Sequence, residues 1–373
     1  MSLLVLDRLT KRYNEGAPGE VLAVDALDLA VEAGEIVALL GSSGCGKTSS
    51  LRMIAGFEEV SGGEIHLGGR AIHTLAPAQR GVAMAFEGYS LYPPLTVSEN
   101  IAFALKSERL PRAEVKRRVD EIAHLLEIEG LLGRYPSSLS GGQQQRASLG
   151  RALVRRAALH LLDEPMGQLE PQLRALLRGR LKHFVKERGL TAILVTHDQT
   201  EANALADRIA VMEGGRLQQF DTPERIREYP ANLFTGTFIG EPPMNVFEAV
   251  ARLEGEKIVF ELSQGVRLDY AAEAFAPTLR ARVLEAGAIA LGVRPHAVQI
   301  REEGAPAEVY ANQWLGDQSH IAARFAGGSI VSVEHDRAPW AKGARIHVAI
   351  APADLHVFAR ESGEALGHGA QAA

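Results

Sequence analysis

The stretch "GEIVALLGSSGCGKTSSLRMIAGF", residues 34–57, constrains the fold of this chain more than any other. An apolar run from Glu35 to Leu40 is followed by a glycine-rich turn and then by a helical pattern that stops near Gly56. The turn Gly41–Thr48 fits G-x-x-x-x-G-K-[ST], and a strand-turn-helix setting is what a phosphate-cradling loop requires. Gly44 and Gly46 let backbone N–H groups turn inward, the helix N-terminus adds positive potential, Lys47 reaches the outer phosphates and Thr48 offers a hydroxyl to Mg²⁺. The candidate cradle comprises Gly41, Ser42, Ser43, Gly44, Cys45, Gly46, Lys47, Thr48 and Ser49, with Cys45 read as a small filler rather than a reactive thiol.

Around this core the chain alternates strands and helices up to about residue 235, as a mostly parallel α/β sheet would. "LLVLDRLTKRY" and "VLAVDALDLAVEAG" read as strands with one wet face, and "GGEIHLGGRAI" as a strand bounded by glycine pairs. Val115, Val119, Ile122 and Leu126 mark an amphipathic helix over 112–129, and Leu173, Leu177, Leu181 and Phe184 mark another over 171–188. "AALHLLDEP" and "LTAILVTHD" read as buried strands, and "RIAVMEGGRLQQF" as a hairpin. The composition shifts at the glycine and proline cluster "FIGEPPMN". Beyond it lie short strand-like runs, so the expectation is an α/β domain over 1–237, with a helical subdomain at about 88–155, and an all-β appendage over 238–373 built as one or two small barrels.

At 373 residues two domains are expected. A net charge of −6 without a concentrated basic face argues against nucleic acid as a partner. The single cysteine excludes an intrachain disulfide and fits a reducing compartment. No apolar run has the length of a membrane span, so a membrane role would come through a partner.

Two further motifs carry chemistry. "LHLLDEP" delivers Asp163 to a sheet edge, where it can support Mg²⁺, and Glu164 beside it can accept a proton from an attacking water. In "LSGGQQQR", Ser140 and Gln143 form a capping-box pattern, and Gly141 and Gly142 between them leave the first N–H groups of the helix uncovered. Residue chemistry alone reads this octet equally as a second anion site or as an ordinary well-capped helix.

The phosphate loop, "LSGGQQQR", "LLDEP" and "LVTHD", in this order and spacing, resemble the ATP-binding subunit of an ABC transporter, and the resemblance covers essentially the whole chain. It implies ATP and Mg²⁺ as cofactors and a head-to-tail pair of ATPase subunits, the second being the same chain or a paralogue. In such a pair Ser140, Gly141, Gly142 and Gln143 of one chain face the nucleotide on the phosphate loop of the other. It further implies that Glu164 polarises the water, that His197 binds the γ-phosphate and that Tyr13 stacks on adenine. "GEPPMNVFEA", "LGVRPHAVQI" and "APADLHVFARESGEAL" resemble the tandem OB-like regulatory domain of maltose-type importer ATPases. That likeness implies a peripheral subunit on the cytoplasmic face of the cell membrane, working with a transmembrane permease and, indirectly, a solute-binding protein. A carbohydrate or polyol is the implied cargo, with an inorganic anion, metal or polyamine as the alternative. Soluble repair ATPases with the same motifs interrupt them with long coiled coil, whereas only about ninety residues separate Thr48 from Leu139 here, without sustained heptads.

Two positions depart from the family pattern. Glu87 stands where glutamine is usual, and "GQLE", ending in Glu170, replaces a serine-to-aspartate segment. A carboxylate remains a hard oxygen ligand, so Glu87 is expected to join the Mg²⁺ shell with Thr48 and Asp163 and to make productive closure more strictly Mg²⁺-dependent. The opposing reading is a weakened site that needs a more typical ATPase beside it. The segment Tyr89–Asn100 is expected to receive a permease helix.

Overall fold

A computed structural model describes residues 2–369. It divides into two compact units, the first ending at Pro223 and the second starting at Glu224. The composition change at 238 therefore lies inside the second unit.

In the first unit, β1 (Ser2–Tyr13) and β2 (Val21–Glu32) alternate buried and open positions and pair antiparallel. By contrast β3 (Ile36–Gly41) is buried at every position. It feeds α1 (Lys47–Ala55), after which come β4 (Gly62–Leu67), β5 (Arg70–Ala71) and β6 (Val82–Ala85). Three helices follow: α2 (Val97–Phe103), α3 (Arg112–Leu125) and α4 (Gly141–Leu153). The chain then alternates through β7 (Leu159–Asp163), α5 (Pro171–Glu187), β8 (Ala192–Thr196) and α6 (Gln199–Leu205), and ends in the antiparallel hairpin of β9 (Arg208–Glu213) and β10 (Arg216–Asp221).

The strands form two sheets rather than one. β2-β1-β4-β5 is a four-stranded antiparallel sheet, and β10-β9-β3-β8-β7-β6 is a six-stranded sheet that is parallel apart from its β10 edge. The distinction follows from burial, because β3, β7 and β8 are covered on both faces and read as unbroken apolar runs, whereas β1 and β2 keep a wet face. Leucines and isoleucines from both sheets, with Leu51, Met53 and Ile54 of α1, share one core. The carboxyl ends of β3, β6, β7 and β8 converge on one edge, which is where ligands of open α/β sheets bind.

The second unit holds a six-stranded and a five-stranded sheet, antiparallel throughout, over one core that includes Phe260, Phe275, Leu291 and Val357. The strand reading anticipated these runs but not the helix Pro277–Ala286, which buries Leu279 and Val283. Pro277 at its first position and Gly287 at its C-cap are the usual start and stop signals. Two short helices, Pro223–Glu228 and Leu233–Phe238, precede the sheets.

Candidate nucleotide site

The loop between β3 and α1 turns back over the sheet edge because two of its glycines admit no side chain. A Cβ on Gly46, which sits at φ 99°, would lie 2.3 Å from the Ala23 carbonyl oxygen. One on Gly41 would lie 2.2 Å from that of Met212 and 2.6 Å from Cys45 Sγ. Lys47 is buried, its ammonium donating to the carbonyl oxygens of Gly41 at 2.9 Å and Ser42 at 2.8 Å, so its charge is fixed over the cradle. Ser42 Oγ donates to the Glu213 carboxylate, tying the loop to β9. Cys45 is buried beneath it, where burial pushes the thiol pKa up, in keeping with a filler.

Beside this loop β7 ends in Asp163, only 3% exposed, with Thr48 Oγ1 donating to Oδ1 at 3.4 Å. Burial, then the charges of Glu87 and Glu164, push Asp163 up from 3.8 to about 6, against smaller pulls from Arg52 and Thr48. Glu164 follows at φ 47°, a left-handed backbone unusual outside glycine. Its amide donates to the Val195 carbonyl at 2.9 Å, and its own carbonyl accepts from Gln145 Nε2 at 2.7 Å. Glu164 Oε1 lies 2.8 Å from His197 Nδ1, while Oε2 is buried without a hydrogen-bond partner. Buried acceptors are normally paired, so this orphan oxygen is not explained by the fold alone.

The turn carrying His197 is braced from below. Thr196 Oγ1 donates to Glu201 Oε2 at 2.7 Å, and Asp198 accepts from the Glu201 amide at 2.9 Å. Glu201 is 2% exposed, and burial pushes it up to about 7, so it is only partly ionised near neutrality while it braces the turn.

A cleft of 460 Å³ is lined by Ser43, Gly44, Lys47, Thr48, Glu87, Gln145, Glu164, Gly167, Gln168 and His197. The structure thus gathers the cradle, Glu87, Glu164 and His197 from four separate stretches. Tyr13 ends β1, with its hydroxyl 3.1 Å from Ser49 Oγ and Lys11 Nζ 4.8 Å from its ring centre. Ser140, Gly141, Gly142 and Gln143 stand outside the cleft lining. Ser140 Oγ accepts from the Gln143 amide at 3.4 Å, and Gln143 Oε1 accepts from the Ser140 amide at 3.0 Å, which completes the capping box.

Sequence reasoning missed Gln145 and Gln168. Gln145 bridges the Glu164 carbonyl and the Gln168 amide, the latter at 3.0 Å, and Tyr89 donates its hydroxyl hydrogen to Gln168 Oε1. The glutamine run in "GGQQQR" was visible, but nothing in its spacing says that the third of them turns inward.

Three carboxylates against one buried ammonium make a site short of positive charge. Oxygen donors from Thr48, Asp163 and Glu87 suit a hard divalent cation. Among the described residues no group of three or more His, Cys, Asp or Glu could hold a metal by itself. The donor set therefore fits Mg²⁺ as it is usually bound, through one or two side chains plus the phosphates of the substrate.

Residues 24–167 match the family described as "ABC transporter", and residues 291–358 the one described as "TOBE domain". The chain is 39% identical over 349 residues to the sn-glycerol-3-phosphate import ATP-binding protein UgpC 1 of Rhizobium johnstonii, covering 92% of each. It is 38% identical to the UgpC protein of Chromobacterium violaceum, covering 99% of this chain and 98% of that one. A dimeric structure of a post-hydrolysis state of the ATP-binding cassette MJ0796 bound to ADP and Pi matches with a TM-score of 0.55 and 27% identity, covering 59% of this chain and 98% of that one. The chain belongs to the ATP-binding subunits of ABC importers, which hydrolyse ATP to drive solute uptake through a membrane permease. No helix among the described residues is long and apolar enough to cross a membrane.

Proposed function

We propose that this chain hydrolyses Mg-ATP with Glu164 as the group that orients and deprotonates the attacking water. The observation that carries this reading is the Glu164 carboxylate, held at one oxygen 2.8 Å from His197 and left with the other buried and unpaired beside the cleft. Residues 41–49 bind the phosphates, with Lys47 neutralising the outer ones. Thr48, Asp163 and Glu87 hold Mg²⁺, which when bound supplies positive charge to the phosphate oxygens and lets the three carboxylates coexist. His197 donates to the γ-phosphate, and Tyr13 stacks on the adenine.

Ser140, Gly141, Gly142 and Gln143 lie outside this cleft, and they serve the nucleotide of a second subunit. Closure of two chains around two nucleotides then couples ATP binding to permease motion, because the closed state alone completes both sites. The chain works peripherally at the cytoplasmic face of the cell membrane, with a solute-binding protein acting upstream. The names of its relatives favour a phosphorylated polyol, within the wider class of carbohydrates and polyols, as cargo.

The test is steady-state hydrolysis against ATP concentration at fixed Mg²⁺, with Glu164→Gln as the blank. Cooperative turnover is expected, falling by about 10²- to 10⁴-fold in the blank. Activity absent from both proteins, yet restored on adding a second ATPase subunit, would favour the weakened-site reading that Glu87 and Glu170 raise.

A further inference from the structure

Away from the nucleotide cleft, α3, the turn after α4 and the end of α5 wall a pocket of 320 Å³. Its charged lining is Arg117, Arg118, Arg155, Arg156, Arg188 and Glu121. The carboxylates that meet these arginines are few. Glu114 pairs with Arg117 and Arg118, each at 2.8 Å, Glu108 with Arg118 at 2.9 Å, and Glu121 with Arg117 at 3.4 Å and with Arg188. Five guanidiniums thus face three carboxylates, a surplus of two.

The surplus has an address. Arg155 makes one long bond to the Val82 carbonyl at 3.5 Å, and Arg156 has neither hydrogen bond nor ion pair among the described residues. Arg118, 6% exposed, is held by its two glutamates, which compensate its charge and leave the uncompensated charge to Arg155 and Arg156. Cations at the ends of α4 and α5 offset the helix dipoles, but that role needs one arginine per helix and no concavity between them. Uncompensated arginines lining a recess of this size are suited to bidentate binding of phosphate oxygens.

We propose that this pocket binds a phosphate-bearing anion, with Arg155 and Arg156 as its principal ligands. The site shares no lining residue with the nucleotide cleft and stands independently of the hydrolysis reading. Because its walls join α3 and α4 of the helical region to the end of α5, an occupant cross-links these elements and offers a handle on ATPase rate.

The test is calorimetric titration of the full-length chain, kept saturated with ADP, with inorganic pyrophosphate. One saturable site is expected, its affinity weakened at least about tenfold in Arg155→Ala/Arg156→Ala and falling with added salt. Hydrolysis by that variant without pyrophosphate should stay within about twofold of wild type, since neither residue touches the cleft. The exposed Arg156→Glu change provides a second variant with little folding risk and should weaken binding at least as much. Flotation with phosphatidylglycerol vesicles separates two sources of the phosphate group. Arginine-dependent flotation assigns it to a lipid headgroup, and pyrophosphate binding without flotation assigns it to a soluble anion. No saturable binding to wild type, or equal affinity in all three proteins, overturns the proposal and leaves the arginines as helix-end cations.

Discussion

Each unit of the molecule brings like-charging groups together around a buried one, and the two sets are resolved in opposite ways. In the first unit Asp163 sits out of solvent near Glu87 and Glu164 and is pushed up only to about 6, so near neutrality it remains largely charged and under-compensated. In the second unit His356 and His368, 8% and 5% exposed, meet with their Nδ1 atoms 2.8 Å apart. Burial, with Arg294 nearby, drives their pKa values down to about 3 and about 4. Those rings are neutral wherever the protein works, and one donates to the other. The imidazole pair is a conflict that folding has settled, whereas the carboxylate cluster is left for a ligand to settle.

The strongest way to break this contrast is Asp163→Asn. Hydrolysis should fall by at least about 10²-fold, measured by phosphate release. Stability should move the other way. Since the folded value of about 6 exceeds the ordinary 3.8, the contribution of Asp163 to stability is full below pH 4 and is lost as pH rises through 6. Without nucleotide at pH 7.5 the asparagine variant should be more stable by on the order of 1–2 kcal/mol, allowing for screening at the cleft edge. That gap should close as pH falls from 6 to 4, and thermal unfolding across this range checks it.

The imidazole pair carries the opposite sign. Values depressed below 6.5 give stability that is present above pH 6.5 and lost as pH falls through about 4 and then 3. Both tryptophans, Trp314 and Trp340, lie in the second unit, so urea unfolding followed by their fluorescence reports that unit. His356→Leu should cost about 1–3 kcal/mol at pH 7.5 by leaving His368 Nδ1 without its imidazole partner, and should make the acid slope shallower. An unchanged slope would mean that the pair does not govern acid sensitivity.

Glu87→Gln sharpens the contrast most finely. Removing one carboxylate from the cluster should lower the Mg²⁺ needed for half-maximal hydrolysis by about two- to fivefold, read from ATPase rates across a Mg²⁺ titration. Unchanged Mg²⁺ dependence would remove Glu87 from the account of the cluster.

Much of this was readable in the chain itself, for identifiable reasons. Strands such as "IVALL" and "AILVT" are buried on both faces and leave unbroken apolar runs, and the loop from Gly41 to Thr48 can serve few purposes between a strand and a helix. Periodicity does not reveal partner choice, so the pairing of β1 and β2 with β4 in a sheet of their own emerged only from the structure. Helix Pro277–Ala286 was missed although both its terminal signals were present, because strand-like runs on either side set the expectation. Gln145 and Gln168 were invisible as site residues because their role depends on where backbone carbonyls and amides fall in space. Glu87 and Glu170 were noticed for the inverse reason, as charges where the family pattern has other residues.

The solitary cysteine has a practical consequence. Cys45 is 2% exposed, packed under the lysine loop with Lys47 Nζ 3.6 Å from its sulfur. A maleimide reaches it only after the loop has opened, so slow alkylation of the native protein is a built-in clock for loop opening. A cysteine introduced elsewhere would be the one fast-reacting thiol, and spectroscopic labels could follow closure of paired chains without first stripping the protein of its own sulfur.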